Sequence, residues 1–292
     1  MEQPGGRTVT RRLGVHTSIS GGLHLSLERA SALGCNTLQI FSHSPRGWAV
    51  KEISHQDLLL FKSLRAKFDI SPVYVHCSYL INIASSNELL KRKSIAMLAT
   101  EMDRADGIGA DYVVLHTGSD SSADKRSSMK KAISALDEIA QMKKWEAGLL
   151  IENTAGERGD ISSTIPEMSE ILTSVKNSFV CGICLDTCHA FAAGYDIRTR
   201  MGMRRIADEI EKHIGFEKVR LIHLNDSKGA NGSRVDRHEH IGLGQIGEKG
   251  LGRFINHQRL AHVPLILETP KKNESDDPVN LAKVRRMLVM KQ

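Results

Sequence analysis

Within the run from Ile183 to Asp196 (ICLDTCHAFAAGYD), Asp186 and His189 stand three residues apart, where an apolar strand gives way to a Gly-containing loop. A carboxylate and an imidazole so spaced suit a divalent metal better than they suit packing. A second group lies in Arg234 to His240 (RVDRHEH): Asp236 and His238, at i and i+2, project to one side of an extended loop and can grip one ion together with His189. By composition His240 could replace His238. Asp186 is also one of six candidates that close short apolar runs: His76, His116, Glu152, Asp186, His223 and Glu268. One histidine at a strand end is usually a hydrogen-bonded structural residue, but six metal-competent ends in series are not explained that way. Asp196 fits neither group and is read as a loop or capping residue.

Nine candidates exceed what one catalytic ion needs, because zinc takes three or four protein ligands. Two or three ions sharing bridging carboxylates are expected. Donors that are carboxylate and imidazole, with no thiolate obviously among them, suit zinc or manganese. Clustered divalent ions bring the pKa of bound water to near neutrality and stabilise the attacking and leaving oxygens of phosphoryl transfer. A phosphodiester reaction is therefore the expected chemistry, with the substrate left open.

The elements that must carry these residues are strands followed by helices. Strands are expected over Leu13 to His16, Asn36 to Phe41, Pro72 to His76, Tyr112 to His116, Gly148 to Glu152, Gly182 to Asp186, Val219 to His223 and Pro264 to Glu268. Helical periodicity fills Gly22 to Leu33, Asn87 to Ile108, Ser127 to Lys144, Ile165 to Val175 and Met203 to Ile214. Parallel strands need long crossovers, so eight such units imply an α/β fold, a single (β/α)8 TIM barrel with its active site at the C-terminal ends of the strands. A doubly wound open sheet competes, but the GxGxxG that would favour it is absent. Residues 1–292 read as one domain with a short tail from about 271. That tail carries Lys271, Lys272, Lys283, Arg285, Arg286 and Lys291, expected to form a solvated helix face. The Gly-rich run from Ile241 to Gly247 has the flexibility of an active-site loop.

Composition sets outer limits. With 40% apolar and 25% charged residues the chain is of ordinary globular type. No apolar run is long enough to span a membrane, and the N-terminus lacks the apolar core of a secretory signal. The five scattered cysteines do not form a disulfide framework, so a cytoplasmic setting is the default. Cys181 and Cys184 make a lone CxxC without the second pair a zinc ribbon requires. A net charge of +6 favours anionic partners such as nucleic acid.

The motifs Ile183 to Asp196, His223 to Lys228 (HLNDSK), Arg234 to Gly244 (RVDRHEHIGLG), Ile151 to Gly156 (IENTAG), Tyr79 to Ile83 (YLINI) and Pro264 to Thr269 (PLILET) resemble endonuclease IV, the zinc-dependent apurinic/apyrimidinic endonuclease family. The resemblance spans nearly the whole chain. It implies three zinc ions per chain, with manganese an alternative at one or more sites. His76, His116 and Glu152 would hold the first, and Glu152 would bridge to a second held also by Asp186, His223 and Glu268. His189, Asp236 and His238 would hold the third. Glu152 would thus be the catalytic bridging ligand, with a metal-bound hydroxide as nucleophile. The implied partner is double-stranded DNA with abasic sites or blocked 3′ ends, and the implied state is a monomer. The phosphodiester 5′ of the abasic sugar would be cut, leaving a 3′-hydroxyl and a 5′-deoxyribose phosphate, and 3′ ends would be cleaned as well. Arg46, Tyr79 and Leu80 match the family's DNA-wedge loops, and His16 stands behind the ligands at most. Two departures are Thr117, where proline is frequent and a looser loop would follow, and Cys77, a soft ligand or oxidisable thiol near the metals. A sugar isomerase or epimerase of the related barrels is the alternative enzyme, and a damage-binding protein without chemistry the non-enzymatic one.

Overall fold

The computed structural model describes residues 11–289. Strands β1 (Leu13–Val15), β2 (Leu38–Phe41), β3 (Val73–His76), β4 (Tyr112–Leu115), β5 (Gly148–Glu152), β6 (Val180–Asp186) and β7 (Val219–His223) are followed by a small antiparallel pair, β8 (Asp226–Ser227) and β9 (His238–Glu239), and then by β10 (Leu265–Leu267). All but β8 and β9 form one parallel sheet in the order β1-β10-β7-β6-β5-β4-β3-β2. A bridge between His16 and Gln39, with the Thr17 amide donating to the Gln39 carbonyl at 2.8 Å, joins the two ends of that order. The result is the TIM barrel expected from the alternation of strands and crossovers.

The helices are α1 (Leu25–Ala32), α2 (His55–Lys67), α3 (Glu88–Ile108), α4 (Lys125–Ala140), α5 (Ile165–Ser174), α6 (Thr187–Ala192), α7 (Arg200–His213), α8 (Gly247–Ile255) and α9 (Asp276–Val289). Local chemistry explains their starts. Ser54, Asn87, Asp124 and Thr199 each cap a helix with a side-chain oxygen, and Thr164 with Glu167 completes a capping box ahead of α5. Gly109 ends α3 at φ 75°, a left-handed conformation that glycine adopts without strain.

Side chains from the outer faces of the strands meet the helices in a large apolar layer. Inside the barrel, Tyr74, Val114, Leu150, Cys184, Leu221 and Ile266 form a packed plug, so the interior is core and not a pore. The register slips by one residue at Cys181 of β6 against β5 and at Arg220 of β7 against β6, on the two strands that end in Asp186 and His223. Such irregularities re-aim the side chains that follow. Gly182 is required at this place, because a Cβ there would collide with the Lys218 carbonyl oxygen.

Two expectations change. The residues after Asp186 are not a loop but the helix α6, capped by the Asp186 side chain through the His189 amide at 2.7 Å. The stretch from 271 is no tail either: Leu281, Val284 and Met287 of α9 are buried in the outer core. Its basic residues help to fasten it. Lys283 donates to the Ile241 carbonyl at 2.6 Å, Arg285 to those of Leu33 and Gly34 at 2.9 Å, and Lys271 pairs with Asp277 at 2.7 Å. Lys291 lies outside the described residues. Among the described residues no helix is long and apolar enough to cross a membrane.

Candidate metal centre

Six barrel strands deliver a candidate ligand at or one residue past their C-terminal ends. These are His76 from β3, His116 after β4, Glu152 from β5, Asp186 from β6, His223 from β7 and Glu268 after β10. His189 rises from α6, while Asp236 and His238 come from the segment leading into β9. The structure brings all nine together. Ligand atoms of His76, His116 and Glu152 lie within 4.8 Å of one another, as do those of Glu152, Asp186, His223 and Glu268, and those of His189, Asp236 and His238. Glu152, fully buried, is common to the first two groups. His238 and not His240 joins the third; His240 instead meets the Asn280 amide at 3.1 Å. Asp196 stays apart, paired with Arg198 at 2.8 Å.

Hydrogen bonds fix which ring nitrogen faces the cluster for four of the five imidazoles, His76, His189, His223 and His238. A carbonyl can only accept, so His76 Nδ1 donates to the Cys77 carbonyl at 2.8 Å, His189 Nδ1 to that of Asn153 at 2.9 Å and His238 Nδ1 to that of Glu268 at 3.2 Å. Their Nε2 atoms are left free to act as ligands. For His223 the same logic runs through Gln39. The end of that amide facing Glu268 Oε1 at 2.6 Å must be the NH2, so its oxygen accepts from His223 Nε2 at 2.7 Å. His223 Nδ1 then faces Glu152 Oε1 at 3.0 Å and Glu268 Oε2 at 3.2 Å.

These orientations point acceptors at acceptors. His76 Nε2 and His116 Nε2 lie 3.4 and 3.1 Å from Glu152 Oε2, a buried oxygen with no hydrogen-bond partner. His189 Nε2 and His238 Nε2 are 3.4 Å apart, with Asp236 oxygens 3.1 and 3.3 Å away. Such arrangements need positive charge between the groups, from protons or metal ions, so the donor set fits divalent cations. The electrostatics agree. Burial opposes charge on His189, but Asp186, Asp236 and Glu152 raise its pKa well above the ordinary value. Burial likewise opposes charge on His223, and Cys184, Glu152 and Glu268 raise it. Burial would push the carboxyls up, yet His223, His116 and His189 hold Glu152 well below the usual range, and His189 and His238 bring Asp236 down to about 2. The field that favours protons on these rings is the field a dication would meet.

Thiols lie close as well. Cys184 and Cys188 come near enough to Glu152 with His223, and to Asp186 with His238, to count as donors. Burial pushes both up to about 12. Cys77 is buried outside every group, and desolvation with the nearby Glu101 raises it well above the ordinary value, so it is no soft ligand. Thr117 tightens its loop: its hydroxyl bonds that of Ser162 at 2.9 Å, which reaches the Glu152 carbonyl at 3.2 Å.

Three supporting residues escape the sequence reading. Gln39 sets His223 and Glu268 as described. Asn225 donates to Asp186 Oδ2 at 2.6 Å and accepts from the Glu268 amide at 2.9 Å, while Asn153 accepts from the Asp186 amide at 2.7 Å. A polar residue amid apolar neighbours, as in Leu38-Gln39-Ile40, was the available signal. His16 lies behind the ligands, 3.0 Å from Gln39 Nε2, with its ring 4.3 Å from Phe41. At the mouth, Tyr79 is 63% exposed yet rests edge-on against Phe41 at 5.2 Å and beside His76 at 5.9 Å, with Leu80 half-buried and Arg46 exposed.

A family model described as a xylose isomerase-like TIM barrel matches residues 27–289. Curated relatives named probable endonuclease 4 include one from Halothermothrix orenii, 42% identical over 94% of this chain and 99% of its own length, and one from Methanosphaerula palustris, 40% identical over 95% and 98%. The crystal structure of endonuclease IV from Thermus thermophilus superposes with a TM-score of 0.84 at 37% identity, covering 95% of this chain and 98% of that one. The chain belongs to the endonuclease IV family. A D-tagatose 3-epimerase-like protein also superposes, with a TM-score of 0.70 at 20% identity over 94% and 97% of the two chains, and shares the fold alone.

Proposed function

We propose that the protein is a DNA repair endonuclease that hydrolyses the phosphodiester 5′ of abasic sites in duplex DNA, leaving 3′-hydroxyl and 5′-deoxyribose phosphate ends. It also cleans blocked 3′ ends. The observation that carries this reading is the convergence of three ligand groups at one barrel mouth, linked through a buried Glu152, in a chain of the endonuclease IV family. His76, His116 and Glu152 hold one ion, Glu152, Asp186, His223 and Glu268 a second, and His189, Asp236 and His238 a third; zinc suits all three, and manganese one or more. The ions supply Lewis acidity to the phosphoryl oxygens and make water a competent nucleophile near neutral pH.

The protein's own groups do the rest. Glu152 ties two ligand groups into one unit, so their spacing is set by a single rigid strand end. Gln39 and Asn225 hold Glu268 and Asp186 in the orientation that presents their remaining oxygens to the cluster. Arg46, Tyr79 and Leu80 enter the duplex from the loops above, filling the space opened by an unstacked abasic nucleotide, whose extrusion costs a few kcal/mol and least at a damaged site. The isomerase reading leaves the third group without a use, and a binder without chemistry leaves all three so.

The test is incubation of a duplex carrying one abasic site with the purified protein, with and without a chelator. The expected product is a nick on the 5′ side that chelation slows or removes. An intact duplex after incubation with the fully metallated protein would refute the reading.

A further inference from the structure

Outside the metal centre, Glu101 of α3 is a carboxylate only 1% exposed whose partners lie in loops at the barrel mouth. The other side chains that α3 buries are apolar apart from Ser94, so a charge at this position is not required by packing. Burying a carboxylate is costly unless its hydrogen bonds are met, and those of Glu101 run to loops. Its Oε1 accepts from the Ser78 amide at 3.1 Å and from His43 Nε2 at 2.8 Å, and its Oε2 from the Ser42 hydroxyl at 2.6 Å. Arg104, one turn further along α3, donates to the Ser42 hydroxyl at 3.0 Å and to the Lys51 carbonyl at 2.8 Å.

Ser42 and His43 begin the loop after β2, which carries Arg46. Ser78 lies in the loop after β3, immediately before Tyr79 and Leu80. The loops are also joined directly, through the Ser78 hydroxyl donating to the Pro45 carbonyl at 2.9 Å, while the Leu80 amide donates back to that hydroxyl at 3.2 Å. Glu101 is thus one bond from the residue before Tyr79, and that residue is one bond from the residue before Arg46.

We propose that Glu101 is a positioning residue that locks the β2 and β3 loops at one spacing, so that Arg46 and the Tyr79–Leu80 pair meet the duplex as a single preorganised wedge. The inference rests on the abasic-site reading and adds to it the element that sets DNA recognition apart from the metal chemistry. Its signature is a split: recognition suffers while the ions and the chemical step do not.

The experiment compares wild type, Glu101→Gln, Ser78→Ala and the double variant on an abasic duplex, recording KM, kcat and bound metal by elemental analysis. Glu101→Gln should raise KM about tenfold, the effect of one lost hydrogen bond to a charged group, with kcat changed less than about threefold and metal content as in wild type. Ser78→Ala, which removes the inter-loop bond to Pro45 and the acceptor of the Leu80 amide, should raise KM in the same direction, and the double variant should fall short of the product of the two effects, because both act on one linkage. An unchanged KM in both single variants, fully multiplicative effects, or loss of metal along with kcat would overturn the proposal. Should Glu101→Gln fail to fold, Ser78→Ala decides by its KM alone. Absence of cleavage by wild type would refute the abasic-site reading itself, whereas wild-type cleavage with unaltered variants refutes only the role of Glu101.

Discussion

The shared carboxylate is where one atom's replacement separates ligation from packing. Glu152→Gln keeps the shape of a fully buried side chain but offers an NH2 where a charged oxygen faces the Nε2 atoms of His76 and His116. We expect incision of an abasic duplex to fall at least about a thousandfold, as when a group acting on the transition state is removed, with the circular dichroism spectrum unchanged; normal cleavage would exclude Glu152 as the bridge. Gln39 supplies the complementary case. Gln39→Leu deletes the bonds that fix the His223 ring and the Glu268 carboxylate. The expected result is metal affinity weakened about 10–100-fold in competition with a chromophoric chelator, and an unchanged affinity would count against that role. Six of the nine donors were legible in the sequence because metal-competent residues recur at the ends of apolar runs, and His189, Asp236 and His238 because of their spacing from Asp186 and from one another. Gln39, Asn153 and Asn225 were not, since an amide in or beside a strand has many ordinary uses and its partners lie on other strands.

At the scale of elements, a third expectation also changes: the Gly-rich run from Ile241 to Gly247, read as having the flexibility of an active-site loop, is held in place. It is pinned by one carboxylate: Asp226, fully buried on β8, accepts from the amides of Gly242 at 3.0 Å, Gly244 at 3.1 Å, Ile246 at 3.0 Å and Gly247 at 3.2 Å, besides that of Ser227 at 2.8 Å. The glycines serve close approach here: a Cβ at Gly244 would lie 2.5 Å from an Asp226 oxygen. Asp226→Ala leaves several of these donors unmet and should lower stability by about 2–4 kcal/mol in urea titration, with weakened metal retention, because β8 pairs with the strand that begins at His238. A variant as stable as wild type would show the loop to be held by other means. Strand positions were read closely because alternating β and α patterns are local. The helix α6 was not, because its capping residue, Asp186, had already been read as a strand end and a candidate ligand; it ends the strand, caps the helix and stands in a candidate ligand group. The terminal helix was taken for a tail because its apolar positions are sparse among basic residues, whose carbonyl partners on the barrel cannot be seen from sequence.

For the whole molecule, the cluster links metal, protons and folding, and the sign of that linkage can be worked out. In chelated protein the raised pKa values of His189 and His223 give stability that is complete below the ordinary value of 6.5 and is lost as pH rises through the higher folded values. The lowered values of Glu152 and Glu268 give stability present above the ordinary 4.5 and lost as pH falls through the folded values. Protons therefore satisfy the cluster best in the window between those two ordinary values. Metal ions require deprotonated rings, so their affinity rises with pH as the proton contribution fades. An ion present at about 100 times its Kd adds about 2.7 kcal/mol, which in a chain of this length amounts to roughly 4 °C in Tm. Calorimetry of metal-loaded and chelated protein should then show a gap in Tm that widens from about pH 5.5 to about pH 8.5. A gap that stays constant or narrows over that range would mean that the buried imidazoles and carboxylates exchange neither protons nor metal on folding, contrary to the orientation of the four rings of His76, His189, His223 and His238.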